Sequence, residues 1–242
     1  SGASEIADWV VEQNIPHLFL TNTTSKPRHA ILEKLKKFGI NTTLEHILTP
    51  PVAAVSWLEK QNIQGKLALF VQEPTKSEFN DFSIATNNND KDIVAVVIGD
   101  LAEAWDFATL NKAFRYLMSE PTPVFVSLGL TRYWKGTQGL QLDVAPFTAA
   151  LQCASGVEPI VMGKPASAFY QTALDILGVN AQQTVMIGDD IRGDIEGAQQ
   201  AGLKAILVKT GKFRTDDLKL GVRPDAIFSS IVDLPEWWAC NR

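Results

Sequence analysis

Val185-Met186-Ile187-Gly188-Asp189-Asp190-Ile191-Arg192-Gly193-Asp194 decides how this chain is read. An apolar run ends in glycine, and acids follow at once. Thr184–Ile187 predicts a strand, and Ile195–Ala201 predicts a helix closed by Gly202. Asp189, Asp190 and Asp194 place three carboxylates within six residues. Such neighbours repel unless a cation or solvent offsets them. Hard oxygens at a strand end suit Mg²⁺, which usually keeps several waters. A helix dipole alone also favours acids at its N-terminus. That simpler explanation accounts well for Asp194 and less well for Asp189.

Working outward, strands and helices alternate. Ala205–Val208 and Asp225–Phe228 follow as strands. Upstream, Pro159–Met162 is a strand leading to Gly163-Lys164-Pro165, and Ala166–Leu177 is a helix closed by Gly178. Near the start, Ala3–Gln13 is a helix with Ile6, Val10 and Val11 on one face. His17–Leu20 is an apolar run into Thr21-Asn22-Thr23-Thr24. A helix over Pro27–Phe38 follows, with Ile31, Leu32 and Leu35 as its buried stripe. Ile47–Thr49 is a short strand, and Val52–Gln61 a helix. In the middle, Leu67–Val71, Ile93–Ile98 and Val124–Ser127 are strands, Trp105–Met118 is a helix, and Thr86–Asp90 is a solvated turn. Strands joined by helices imply right-handed crossovers and a doubly wound parallel sheet. The expected organisation is an α/β core over 1–64 and 156–242, with a smaller α/β cap over 65–155.

Composition narrows the function. With 242 residues, 45% hydrophobic and 20% charged, the chain is long enough to bury a sizeable core. A net charge of −5 and the lack of a basic run speak against nucleic acid. No apolar stretch approaches the ~18 residues of a membrane span. Cys153 and Cys240 are far apart and read as two reduced thiols of a cytoplasmic protein. His17, His29 and His46 are scattered, which leaves little for a histidine-centred metal site or a Ser-His-Asp triad.

In a parallel sheet, ligands bind beyond the carboxyl ends of the strands. Thr21-Asn22 lies at one such end and can hold phosphate oxygens. Taken alone, capping of the next helix by Thr23, Thr24 or Ser25 explains that stretch better. Lys164 lies at another, where an ammonium can pair with a phosphate and a carboxylate. A turn lysine at the surface explains it equally well. In a catalytic role, Lys164→Met is expected to remove most activity yet change stability little, since methionine keeps much of the side-chain stem and Pro165 still fixes the turn.

Together, a threonine, a lysine and an acidic Gly-Asp loop, each after a strand, resemble motifs two, three and four of the haloacid dehalogenase (HAD) superfamily. Phe19–Thr24, Val161–Pro165, Val185–Asp190 and Ile206–Gly211 resemble one branch of it, with an α/β cap between motifs two and three. The nearest likeness is to the group called haloacid dehalogenase-like hydrolase domain-containing protein two, over nearly the whole chain and including Arg132-Tyr133-Trp134-Lys135. The resemblance implies a HAD-like Rossmannoid core and phosphatase chemistry on a small phosphorylated substrate. An aspartate would attack phosphorus, and a second aspartate two residues on would act as acid and base. Thr21 and Asn22 would hold the phosphate, with Thr21 and Lys164 in catalytic roles. Asp189 would ligate Mg²⁺, Asp194 would support it from behind, and Asp190 would contribute weakly. Arg132 would hold a second anionic group of the substrate.

Motif one, Asp-x-Asp or Asp-x-Ser-Gly-Thr after a strand, is absent. Asp90-Lys91-Asp92 has the carboxylate spacing but sits after an asparagine run in the cap. The expectation is therefore that the nucleophile lies upstream of Ser1, on a strand between those ending at Leu20 and Ile187. A catalytically inactive HAD-like protein that binds a ligand or another protein is the alternative. A homo-oligomer is left open.

Overall fold

The computed structural model describes residues 2–86, 91–136 and 139–241. In chain order the elements are α1 (Ala3–Glu12), β1 (Phe19–Leu20), α2 (Arg28–Lys37), β2 (Ile47–Leu48) and α3 (Pro50–Lys60). Then come β3 (Lys66–Phe70), β4 (Ser83–Ile84), β5 (Ile93–Ile98), α4 (Phe107–Leu117), β6 (Val124–Ser127), β7 (Tyr133–Gly136), β8 (Gly139–Leu142) and α5 (Val144–Ser155). The last third carries β9 (Ile160–Val161), α6 (Ser167–Leu177), β10 (Val185–Gly188), α7 (Gly197–Gln200), β11 (Lys204–Val208), β12 (Ala226–Phe228) and α8 (Leu234–Asn241). Asn87–Asp90, and with it most of the expected asparagine turn, lies outside the described residues.

The chain forms two compact units. The first comprises Ser1–Leu20, His29–Leu48 and Lys164–Arg242; the second comprises Thr21–Arg28 and Thr49–Gly163. These bounds differ from the 64/65 and 155/156 boundaries read from sequence, and the units are similar in length. The reasons are specific contacts. β9 pairs in parallel with β6, and the Met162 amide donates to the Ser127 carbonyl at 2.8 Å, so the chain stays in the second unit as far as Gly163. Thr21–Arg28 is held there by Thr75 Oγ1 donating to the Thr24 carbonyl at 2.8 Å and by Arg28 Nε on Glu78 Oε2 at 2.9 Å.

In the first unit, β1 pairs in parallel with β2, and β10, β11 and β12 form a second parallel sheet. Among the described residues, β1 and β10 each have a strand on one side only. β11 is buried from Ala205 to Val208, whereas all of β10 is half-buried. An apolar cluster of Tyr170, Leu174, Ile191, Ile195, Ala198 and Leu207 packs α6 and the turn after β10 onto this sheet. At about 25 cal/mol per Å², such burial is the main stabilising term. Sequence periodicity overstates two faces. Val11 of α1 is 52% exposed, because it lies five residues from Ile6 rather than four, and no residue of α2 is fully buried.

The second unit has a five-stranded sheet in the order β4-β3-β5-β6-β9, parallel throughout. β5 is buried at every position but Val94, as a central parallel strand should be. α4 and α5 cover one face through Ala113, Tyr116, Leu117, Val144 and Leu151. β7 and β8 form an antiparallel hairpin pairing Trp134 with Gln141. No helix among the described residues is long and apolar enough to cross a membrane.

Candidate active site

In the first unit the acidic loop leaves β10 at Gly188 and enters a one-turn π-helix, Ile191–Glu196. π-Turns of this kind often mark functional sites. Asp190 caps it: Oδ1 accepts the Gly193 amide at 2.9 Å and the Arg192 amide at 3.2 Å. Burial pushes the Asp190 carboxyl up, but those amides and the Lys212 ammonium outweigh it, so it ionises below its usual range. Asp194 is buried and turns back over the loop. Its Oδ2 accepts the amides of Asp189 and Asp190, both at 3.1 Å, and its Oδ1 accepts Lys164 Nζ at 2.7 Å. Lys164 Nζ also donates to the Leu20 carbonyl at 3.4 Å. One ammonium thus joins the end of β1 to the acidic loop that follows β10.

Asp189 follows β10 directly. Its Oδ2 accepts the Lys212 amide at 2.7 Å, while Oδ1 makes no hydrogen bond among the described residues. The donor set can be tested against Mg²⁺ on that basis. Asp194 has both oxygens engaged, and Asp190 is occupied by two amides and by Lys212 Nζ at 3.4 Å. Asp189 therefore fits as a single carboxylate ligand, and Asp194 as the group that fixes the loop behind it. No group of three or more His, Cys, Asp or Glu arranged for a metal exists among the described residues. One carboxylate suits a Mg²⁺ that keeps most of its waters.

Residues not singled out from sequence complete this arrangement. Tyr170 on α6 donates its hydroxyl to the Gly193 carbonyl at 2.6 Å. Burial, then the charges of Asp194 and Asp190, push that phenol well above its usual range, so it stays a donor. A Cβ on Gly188 would overlap the Asp194 carboxylate, and one on Gly211, at φ +60°, would overlap Asp189 Oδ2. Both glycines are where close approach requires them. The glycine of the Gly-Asp motif was a signal for this; nothing in the sequence singled out Tyr170.

Thr21, Asn22 and Arg132 lie in the second unit. Thr21 Oγ1 is 2.9 Å from Thr23 Oγ1 and accepts the Thr23 amide at 3.3 Å. Instead of Thr23, Thr24 or Ser25, Glu78 serves the first turn of α2, accepting the Arg28 amide at 2.6 Å. The loop Asn22–Ser25 instead lines a cavity of about 1130 Å³ within this unit. Arg132 is exposed, lies outside that lining, and rests its guanidinium 5.9 Å from the Tyr133 ring.

A family model described as haloacid dehalogenase-like hydrolase matches residues 1–85, and one described as HAD-hydrolase-like matches 161–234. These stretches carry Thr21 and Asn22, and Lys164 and the acidic loop, respectively. Human phospholysine phosphohistidine inorganic pyrophosphate phosphatase is 39% identical over 199 residues, covering 82% of this chain and 71% of that protein. The chain belongs to the haloacid dehalogenase-like hydrolases. Among other HAD-like hydrolases, cattle haloacid dehalogenase-like hydrolase domain-containing protein 2 is 36% identical over 216 residues, 89% of this chain and 80% of that one. A solved p-nitrophenyl phosphatase from Archaeoglobus fulgidus shares the fold, with a TM-score of 0.85 at 24% identity, covering 97% and 90% of the two chains. The family resemblance read from the motifs is thereby confirmed.

Proposed function

We propose that this HAD-like hydrolase is a Mg²⁺-dependent phosphatase acting on a small phosphorylated molecule through an aspartyl-phosphate. The Lys164–Asp194 pair carries the reading. It fixes an ammonium at the carboxyl ends of β1 and β10, where parallel sheets bind ligands. A cation there offsets the charge of a phosphate and of an attacking carboxylate as they approach. The relative named as a phosphatase supports the same chemistry.

Asp194 acts as a positioning residue: it orients Lys164 and pins the amides that set Asp189. Asp189 would hold Mg²⁺, which when bound supplies charge compensation to the transferring phosphoryl group. Thr21 and Asn22 keep the phosphate-binding role of motif two. None of the 242 residues offers the attacking aspartate. In this reading a further aspartate, as the family resemblance implies, supplies the nucleophile.

The test is phosphate release from a panel of phosphate esters by the protein as its gene encodes it, with and without Mg²⁺. Mg²⁺-dependent release that is lost in Lys164→Met is expected. No release from any ester, with phosphate still bound, would replace this reading with that of an inactive phosphate-binding protein.

A further inference from the structure

The cavity in the second unit has a definite sign. Asp100, Glu103 and Asp143 line it, together with Glu73, whose carboxylate is matched by Lys76 at 2.6 Å. Asp100 receives only neutral donors, the Ala102 amide at 2.9 Å and Gln72 Nε2 at 3.3 Å. Asp143 receives the Val144 amide at 2.8 Å. Neither carboxylate has a cationic partner among the described residues. Burial pushes Asp143 above its ordinary range, and the Asp100 charge adds to the push. The two acids therefore repel each other at a half-buried place, which a cation would relieve.

The same cavity has aromatic walls, Trp134 and Phe147. Phe147 is the end of a three-ring stack, 4.8 Å from Trp105, which lies 5.9 Å from Phe70, each pair inclined by 14°. That stack holds the ring in place. Aromatic faces beside carboxylates suit an organic ammonium, which sheds water far more readily than a bare divalent metal ion. A volume of about 1130 Å³ also exceeds what one hydrated ion needs. The Asn22–Ser25 loop, which carries motif two, forms another wall, so a phosphate on that loop would leave the rest of its molecule in the acidic space.

We infer that the second unit selects a phosphate monoester whose leaving group carries a protonated amine, and rejects anionic leaving groups such as a second phosphate. This rests on the phosphatase reading above. Hydrolysis of such an ester breaks the P–O bond; water supplies the new oxygen of inorganic phosphate and the proton of the departing alcohol, with no redox co-reactant.

Two probes of equal phosphate but different tail decide it: phosphoethanolamine and glycerol phosphate, with pyrophosphate as the anionic extreme. Calorimetric binding to the full chain should favour phosphoethanolamine over glycerol phosphate by about tenfold or more, as one desolvated charge pair would give. In the Asp100→Asn/Asp143→Asn variant that ratio should collapse toward unity. Both asparagines keep the acceptor for the Ala102 and Val144 amides, so loss of fold is not the expected cause, and a thermal melt checks it. Equal binding of the two esters, no binding of either, or tighter binding of pyrophosphate would overturn the inference. The same panel assayed for phosphate release separates the two claims. Ammonium preference in binding without turnover of any ester sinks the phosphatase reading alone. Turnover of both esters with equal kcat/KM and equal affinity sinks the inference alone.

Discussion

Lys164 Nζ lies 2.7 Å from Asp194 Oδ1, and the two side chains are only 11% and 6% exposed. That burial changes what replacing Lys164 does. The expectation that methionine here would change stability little is thereby corrected, because the ammonium is paired out of solvent. Lys164→Met leaves the Asp194 charge buried with only amide partners, and breaking such a pair costs about 3–5 kcal/mol. Activity should fall by ~10²–10³ as well, the usual loss for a stabiliser of developing charge. Asp194→Asn added to Lys164→Met should recover part of the stability, because the amide oxygen still serves the Asp189 and Asp190 amides, while activity stays low. Urea melts of wild type, both single variants and the double variant measure the coupling. Additive effects would mean that the pair contributes nothing.

Tyr170 should matter to the site through the backbone that it holds, the Gly193 and Asp194 carbonyls. Its hydroxyl is the donor for the Gly193 carbonyl in the turn that presents Asp194. Tyr170→Phe leaves a carbonyl short of a partner, at about 1–3 kcal/mol. The expected result is a lower melting temperature and weaker Mg²⁺ dependence of phosphate release. A variant with unchanged stability and unchanged Mg²⁺ response would show the bond to be incidental.

Much of this was legible in the sequence, for reasons that differ by element. β5 and β11 are continuous apolar runs, and such runs are strands buried on both faces. Gly178 and Gly202 closed their helices with φ of +66° and +85°, as glycine after an apolar stripe should. The pairing of β7 with β8 was missed because their apolar residues, Tyr133, Trp134, Leu140 and Leu142, are exposed and form no buried face. The unit boundary at Gly163 was missed because a pairing between β6 and β9 is a long-range choice, invisible to local pattern. Lys164 and the Asp189–Asp194 loop stood out because each is a local motif, and the structure brings Lys164 against Asp194. Asp100 and Asp143 were not, since they come from separate loops and share no spacing that chemistry demands.

Mg²⁺ should bind weakly to the 242-residue chain and through Asp189. Only Asp189 Oδ1 is without a hydrogen bond in the acidic loop, and one carboxylate with waters gives modest affinity. Asp189→Ala should abolish the heat of Mg²⁺ binding, while Asp190→Asn should leave most of it, because Asp190 is spent on the Arg192 and Gly193 amides. Binding that survives Asp189→Ala would move the metal elsewhere.

Asp143→Asn should stabilise the protein at neutral pH. Burial and Asp100 raise the folded-state Asp143 above its ordinary 3.8. Between the ordinary value and the raised one, the folded state binds more protons than the unfolded state, so stability falls as pH rises through that window. Above it the full cost of holding an ionised Asp143 next to Asp100 is present; below about pH 3.8 it is absent. Asparagine removes the charge and keeps the cap on α5, since the two residues are nearly equal at that position. Glu103 and the Glu73–Lys76 pair share the cavity and are unchanged in both proteins. The variant should therefore melt higher than wild type at pH 7, with the gap closing as pH falls toward 4. Glutamine at Asp143 is a poorer control, because its longer side chain loses the cap. Thermal melts across pH 4–8 measure the gap directly. A variant less stable at pH 7, or a gap that widens in acid, would show that Asp143 is stabilised as an anion rather than strained by burial and Asp100.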